Sequence, residues 1–204
     1  MQSDYALSGA ATVQAASASR ATSDETLIEN IARGDKRAMQ VLFARHNMRV
    51  YRFVARMVGD SAVAEDVVGD VFLDVWRKAD RFEGRSQVST WLLAIARYKA
   101  LSQLRNRTND HLDDAAAEAI EDTADDPEVA LEKKDRAALM RKCMVQLSPA
   151  HREIIDLVYY HEKSMDECAE ILQIPEATVR TRMFYARKRL AELLKTEGIE
   201  HAWQ

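Results

Sequence analysis

Residues 163–190 read KSMDECAEILQIPEATVRTRMFYARKRL. Ser164-Met165-Asp166-Glu167 has the Ser-x-x-Glu form of a capping box and opens a short helix, DECAEIL. QIPE interrupts it, and a long helix follows from Ala177 to about Lys195. A short helix, a tight turn and a longer basic helix form the outline of a helix-turn-helix. At about 100° per residue, Val179, Met183, Ala186, Leu190, Leu193 and Leu194 fall in one apolar stripe. Cys168, Ala169, Ile171 and Leu172 offer it a partner face. Arg180, Thr181, Phe184, Arg187 and Lys188 fall on the opposite side, which suits a major groove. Arginine binds guanine edges bidentately, threonine bonds bases or phosphate, and an apolar ring meets a thymine methyl. A basic helix face alone is common on solvated surfaces; the capping box, turn and clean stripe together raise the DNA-binding reading above that.

Outward from this stretch the chain reads as helices throughout. Ser148-Pro149 caps a run reaching about His161, and Asp126-Pro127 fits a cap with proline at the first helical position. That places the start of this module near Pro127 and a first helix over Pro127–Gln146. Residues 24–107 form another helical module. Ser23 or Asp24 caps ETLIENIAR, which stops at Gly34. A second helix runs from about Lys36 to Val58, with Leu42, Phe43, Val50, Phe53, Val54 and Met57 on its core side, and Gly59 closes it. Asp60 or Ser61 caps AVAEDVVGDVFLDVWRKA, where Val63, Val67, Val71 and Val75 recur every four residues. The loop RFEGRSQVS leads into STWLLAIARYKALSQLRNR, Ser89–Arg107.

Six Gly and three Pro in 204 residues disfavour a turn-rich β fold, and no long alternating stretches occur. The fold class is therefore all-α: two small helical domains joined by an acidic flexible linker. No apolar run approaches the roughly 20 residues that span a bilayer. The first 22 residues lack the pattern of a signal peptide and read as a flexible tail, so a cytoplasmic protein without membrane insertion is expected. Cys143 and Cys168 lie in apolar helical patterns and read as buried free thiols. The five His show no ligand-like spacing with them, so neither a metal site nor a cofactor is expected. No Gly-rich phosphate loop or nucleophile elbow is present, which argues against an enzyme or a small-molecule substrate.

The net charge of −4 conceals segregation. Thr108 to Glu132 holds ten carboxylates and no Lys or Arg; Gly84 to Arg107 holds five basic residues and no acidic one, as does Ala177 to Ala191. Two basic helices separated by an acidic strip suggest two anion-binding modules on a linker. In Ser89–Arg107 the apolar residues circle most of the helix, so basic and apolar faces are not opposed as on a membrane-surface helix. Leu92, Ile95 and Leu101 are assigned to packing. Trp91 is either a core anchor or a base contact.

Three segments, AEDVVGDVFLDVWRKADRFEG, STWLLAIARYKALSQLRNR and KSMDECAEILQIPEATVRTRMFYARKRL, resemble in order and spacing the extracytoplasmic-function (ECF) sigma factors of bacterial RNA polymerase. The resemblance spans about residues 24–107 and 127–195. It implies a non-catalytic, promoter-recognising subunit that directs transcription initiation. The domains would be a tail (1–22), region 2 (23–107), the linker (108–126), region 4 (127–197) and a C-terminal tail (198–204). Region 2 would bind the β′ clamp of core RNA polymerase through Glu65, Asp66, Asp70, Asp74, Trp76 and Arg77. It would open promoter DNA at the −10 element through Arg85, Ser86, Ser89, Trp91, Arg97, Lys99, Arg105 and Arg107. Unstacked bases need apolar surfaces and pockets, while cations track phosphates. Region 4 would sit on the β flap and read the −35 element through Arg180, Thr181, Phe184, Tyr185, Arg187 and Lys188. An anti-sigma factor is implied as a further partner.

The chain departs from the family pattern at four places. Gly69 stands where a longer polar residue is usual, Tyr98 where Asn is frequent, Gln173 where Gly ends the helix, and Tyr185 where a basic residue is common. Two other readings compete: a mimic that titrates an anti-sigma factor, and a stand-alone helix-turn-helix regulator. A mimic would be expected to lose basic residues from both DNA surfaces, and a stand-alone regulator leaves the Trp-bearing helix unexplained.

Overall fold

The computed structural model describes residues 22–110 and 138–197. Every regular element among these residues is helical. The acidic linker, the expected helix start at Pro127 and both tails lie outside the described residues.

The first module holds four helices, the first three started by a local polar group. In α1 (Asp24–Ala32) the Ser23 side chain accepts the Thr26 N–H. In α2 (Lys36–Val58) Asp35 accepts the N–H groups of Arg37 and Ala38, and Gly59 ends the helix in the left-handed region at φ 68°. Glycine takes that conformation without a Cβ clash. In α3 (Ser61–Lys78) Asp60 accepts the Val63 N–H. A 3₁₀ turn, Ala79–Arg81, and a loop lead to α4 (Val88–Asp110). The core joins Leu42, Val50, Phe53 and Val54 of α2 to Val67, Val71 and Val75 of α3, with Ile28 and Ile31 of α1 closing one side.

Two packing expectations are corrected. Phe43 is 41% exposed and rests edge-on against Phe72, with ring centroids 4.8 Å apart. On α4, Leu92 is buried as expected, but Ile95 and Leu101 are only half-buried. Leu93, Ala96 and Ala100 take the core instead. Two alanines on one face let the backbone of α4 approach α2 and α3 closely, a placement that large residues on the same circumference obscured.

The second module begins, within the described residues, with a helix over 138–145 (α5). Ser148 caps α6 (Pro149–Ile155). The run expected to continue to His161 changes instead at Asp156 into a π turn, Asp156–Tyr160. Such turns reorient side chains and recur at functional positions. Here the turn carries Asp156 inward to 3% exposure. Both halves of the capping box form at the start of α7 (Met165–Leu172), and α8 (Glu176–Thr196) starts one residue earlier than the pattern suggests. All six residues of the α8 stripe are buried, and α8 packs on both α6 and α7, where Ile154, Ile155, Cys168, Ile171 and Leu172 are buried as well. Cys143 and Cys168 are free and buried; burial pushes the Cys168 thiol up to about 12, so it is inert at neutral pH.

The two modules touch. α7 packs across the N-terminal half of α4, and Phe53 of the first core meets His161 of the second module edge-on at 5.4 Å.

Gln173 ends α7 at φ 55°, in the left-handed region, where a side chain costs on the order of 1–2 kcal/mol. Gln173→Gly is expected to stabilise the protein by about 0.5–1 kcal/mol after the added chain entropy of glycine is subtracted. The measurement is urea unfolding; a lower midpoint would contradict it.

Candidate nucleic-acid interface

The residues assigned to the −35 face lie together on α8. Arg180, Thr181, Phe184, Tyr185, Arg187 and Lys188 are all exposed. Arg180 Nη2 donates to Glu176 Oε1 at 2.5 Å, an exposed pair worth little in water that a phosphate or guanine would replace. The Thr181 hydroxyl donates to the Ala177 carbonyl at 3.0 Å, leaving its oxygen as an acceptor. Phe184 and Tyr185 are 62% and 54% exposed and meet edge-on at 5.4 Å. A groove of about 500 Å³ runs beside them, lined by Gln146, Ser148, His151, Tyr185, Lys188, Arg189 and Glu192. The face is cationic with an apolar centre, which fits base edges flanked by phosphates.

The residues assigned to the −10 surface are not gathered in this way. Around α4 they divide among three directions. Lys99 turns to α3, 3.4 Å from Asp74, and Arg107 lies 3.3 Å from Asp60. Arg97 and Ser89 turn to the second module: Arg97 Nε donates to Glu153 Oε1 at 2.7 Å, and Ser89 Oγ accepts from Lys163 Nζ at 2.8 Å. The remaining strip is open to solvent. It carries half-buried Trp91, whose ring sits 5.1 Å from that of Phe82, then Tyr98 at 70% exposure, then exposed Arg105. In the preceding loop Arg85 is exposed beside Glu83, at 2.5 Å, and Ser86 is half-buried.

Between the modules lies a polar joint that sequence reading missed. Lys163 is 5% exposed. Its Nζ donates to Thr90 Oγ1 at 2.9 Å and to Glu167 Oε1 at 2.7 Å, besides Ser89. Thr90 Oγ1 in turn donates to Glu167 Oε1 at 2.5 Å. The other carboxylate oxygen, Oε2, accepts the Ser164 N–H of the capping box at 3.0 Å. Glu167 thus caps α7 with one oxygen and fastens α4 with the other. Burial by itself would raise its pKa, but the hydrogen bonds from Lys163, Thr90 and Ser164 prevail and hold the carboxyl at about 2. A second contact pairs Arg56 with buried Asp156, and Arg56 lies over the Tyr160 ring at 4.3 Å. Asp156 Oδ2 is also 3.3 Å from His161 Nε2. Beside this joint is a cleft of about 320 Å³, floored by Phe53, Met57, Leu101 and Leu104 and edged by Arg56, Arg97, Arg152 and Arg182. The only sequence signal was Lys163 four residues before Glu167, which reads as an ordinary helix-surface pair until the modules are docked.

The residues assigned to the polymerase lie on α3. Glu65, Asp66, Asp70 and Arg77 are exposed along it. Asp74 differs: Lys78 at 2.9 Å and Lys99 at 3.4 Å engage it, and the hydrogen bond from Lys78 leads in holding its carboxyl below the usual range. Trp76 packs against the core. Among the described residues no His, Cys, Asp and Glu cluster fits a metal ion, and no helix is long and apolar enough to cross a membrane.

Fold and site together define a class: a two-module helical protein carrying a helix-turn-helix. Residues 42–109 match the family description Sigma-70 region 2, and residues 137–190 match Sigma-70, region 4. The chain is 34% identical to the RNA polymerase sigma factor CarQ of Myxococcus xanthus, over 86% of this chain and 99% of that one. It is 28% identical to the ECF RNA polymerase sigma factor SigW of Bacillus subtilis, over 82% and 95%. Among solved structures it superposes on the sigma factor RpoE of Bartonella quintana, determined with the anti-sigma factor NepR. The TM-score there is 0.60, with 26% identity, over 75% of this chain and 94% of that one. The chain belongs to the sigma-70 family of RNA polymerase sigma factors, within its ECF group.

Because the Glu167 carboxyl is lowered from 4.5 to about 2, its contribution is complete above about pH 4.5 and fades as pH falls toward 2. Glu167→Ala removes the partner of a buried ammonium and is expected to cost on the order of 3 kcal/mol at neutral pH. Denaturant unfolding at pH 7 and pH 3 checks this: the difference between variant and parent should shrink at pH 3. An equal difference at both would contradict the assignment.

Proposed function

We propose that this chain is an alternative sigma factor that directs promoter-specific transcription initiation as a non-catalytic subunit of cytoplasmic RNA polymerase. Region 2, residues 23–107, takes the −10 element and the clamp, and region 4, residues 127–197, takes the −35 element and the flap. One observation carries the reading: the α8 face presents Arg180, Thr181, Phe184, Tyr185, Arg187 and Lys188 outward together, with its six apolar residues fully committed to the core.

In the docked arrangement, Ser89 and Arg97 are held by Lys163 and Glu153 of the other module. Those two reach promoter DNA once region 4 moves off α4. The open strip of Trp91, Tyr98 and Arg105 and the whole α8 face need no such movement. Initiation therefore exchanges contacts within the chain for contacts with DNA and polymerase, and ion pairs at the joint give way to pairs with phosphate. An anti-sigma factor, the kind of partner with which the RpoE relative was determined, acts on this equilibrium by holding the docked arrangement.

Transcription in vitro with core RNA polymerase on promoters recovered by genomic binding tests the reading. Protein-dependent transcripts are expected. Arg180→Ala should cut −35-dependent binding about 10-fold or more, the loss of one bidentate base contact. Arg105→Ala should weaken binding less and reduce its salt dependence, as a phosphate contact does. Polymerase binding without transcripts would instead indicate a mimic, and DNA binding without polymerase a stand-alone regulator.

A further inference from the structure

The cleft between the modules joins an apolar floor to an excess of positive charge. Phe53 and Met57 of α2 and Leu101 and Leu104 of α4 form the floor. The rim carries four arginines against two carboxylates, Glu153 and Asp156. Both carboxylates are already engaged, Glu153 by Arg97 and Asp156 by Arg56. That leaves Arg152 and Arg182. Arg152 donates to the Met144, Val145 and Leu147 carbonyls, neutral acceptors that leave its charge unbalanced. Burial lowers its pKa from the ordinary arginine value, and no carboxylate offsets the shift. Arg182, half-buried on α8, meets no carboxylate among the described residues. An apolar floor beside two unbalanced cations suits a ligand that has both carboxylates and a large apolar side chain.

The chain itself carries such a ligand. From Asp113 to Asp126 it has seven carboxylates, no Lys or Arg, and one large apolar residue, Ile120. The attachment point is near. Leu104 and Leu101 lie six and nine residues before Asp110, the last residue of α4, or about 9 and 14 Å back along the helix. The ten residues from Asp110 to Ile120 reach up to about 33–36 Å, more than the return to the floor requires. Tethering holds such a segment at an effective concentration on the order of millimolar, so weak contacts suffice.

We propose that this cleft is a binding site for the chain's own acidic segment, residues 113–126, with Ile120 on the apolar floor and its carboxylates paired with Arg152 and Arg182. The walls come from both modules, so the seated segment bridges them. Partial burial strengthens its ion pairs over those on an open surface. The site goes beyond the functional reading and does not depend on it, because it belongs to the free chain. The acidic strip that reads as a spacer is then a third part of the joint.

The experiment uses the full chain with a nitroxide on Ala124→Cys, since both native thiols are buried. Paramagnetic broadening of amide NMR signals at low salt is the readout. Signals of Met57, Leu101, Leu104, Ala150 and Arg182 are expected to broaden strongly. Tethering alone broadens some of them, so the comparison is with variants of equal length. Ile120→Ser should reduce the broadening about 5-fold. So should Glu118→Gln, Glu121→Gln, Asp122→Asn, Asp125→Asn and Asp126→Asn combined in one chain. Arg182→Glu should act similarly, as should salt at about 0.5 M. Arg152 is left unaltered because its carbonyl bonds hold the end of α5. Equal broadening in the parent, Ile120→Ser and the amide chain would overturn the site. Broadening confined to Arg180, Arg187 and Lys188 would also overturn it, placing the acidic segment on the outer face of α8. Broadening that passes from a nitroxide-bearing chain to a separate isotope-labelled one would overturn it too, making the occupant a second copy.

Discussion

One buried ammonium organises this structure. Lys163 has almost no contact with water, and a charge so placed is tolerated only when acceptors surround it. Glu167 supplies the counter-charge from its own module, and Ser89 and Thr90 supply neutral oxygens from the other. Docking both removes water from this charge and replaces it with oxygens drawn from the two modules. Separated, Lys163 and Glu167 regain water and lose the two hydroxyls, so docking has a net value far smaller than the individual bonds imply. A joint of this kind is firm enough to set an orientation and weak enough for a partner to open.

The consequences reach both of the proposed nucleic-acid surfaces. The joint fixes α7, the first helix of the helix-turn-helix, against the N-terminal half of α4. Arg97 and Ser89 are thereby engaged inside the chain, while the basic outer face of α8 stays exposed. With the joint closed, two of the residues proposed for promoter contact, Ser89 and Arg97, are engaged by the second module, while the proposed α8 contacts stay open to solvent. The Arg56–Asp156 pair adds to this from the π turn, which exists in place of a continuing helix and brings a carboxylate where a cation of the other module answers it.

Much of this was legible in the residues. The six-residue stripe of α8, the capping box at Ser164 and the caps at Ser23, Asp60 and Ser148 all have local causes, so periodicity and spacing reveal them. The class of all-α fold followed from the same signals. Less legible was α4, where apolar residues circle the helix and only packing decides which face is inside. Ala96 and Ala100 won because small side chains permit close helix contact, while Ile95 and Leu101 were displaced toward the flanks. The joint was not legible at all. Its bonds connect residues more than seventy positions apart, across a linker whose length and charge suggested independence.

The most direct measurement is the distance between the modules, by energy transfer between dyes on cysteines introduced at Gln40 and Ala191. Both positions are exposed, and the two native thiols are buried. A joint that holds the free protein together and opens on initiation predicts a single short distance in the free protein. It predicts a distinctly longer one when core polymerase and promoter DNA are bound. A broad distribution in the free protein, or the same short distance in the initiating complex, would contradict it.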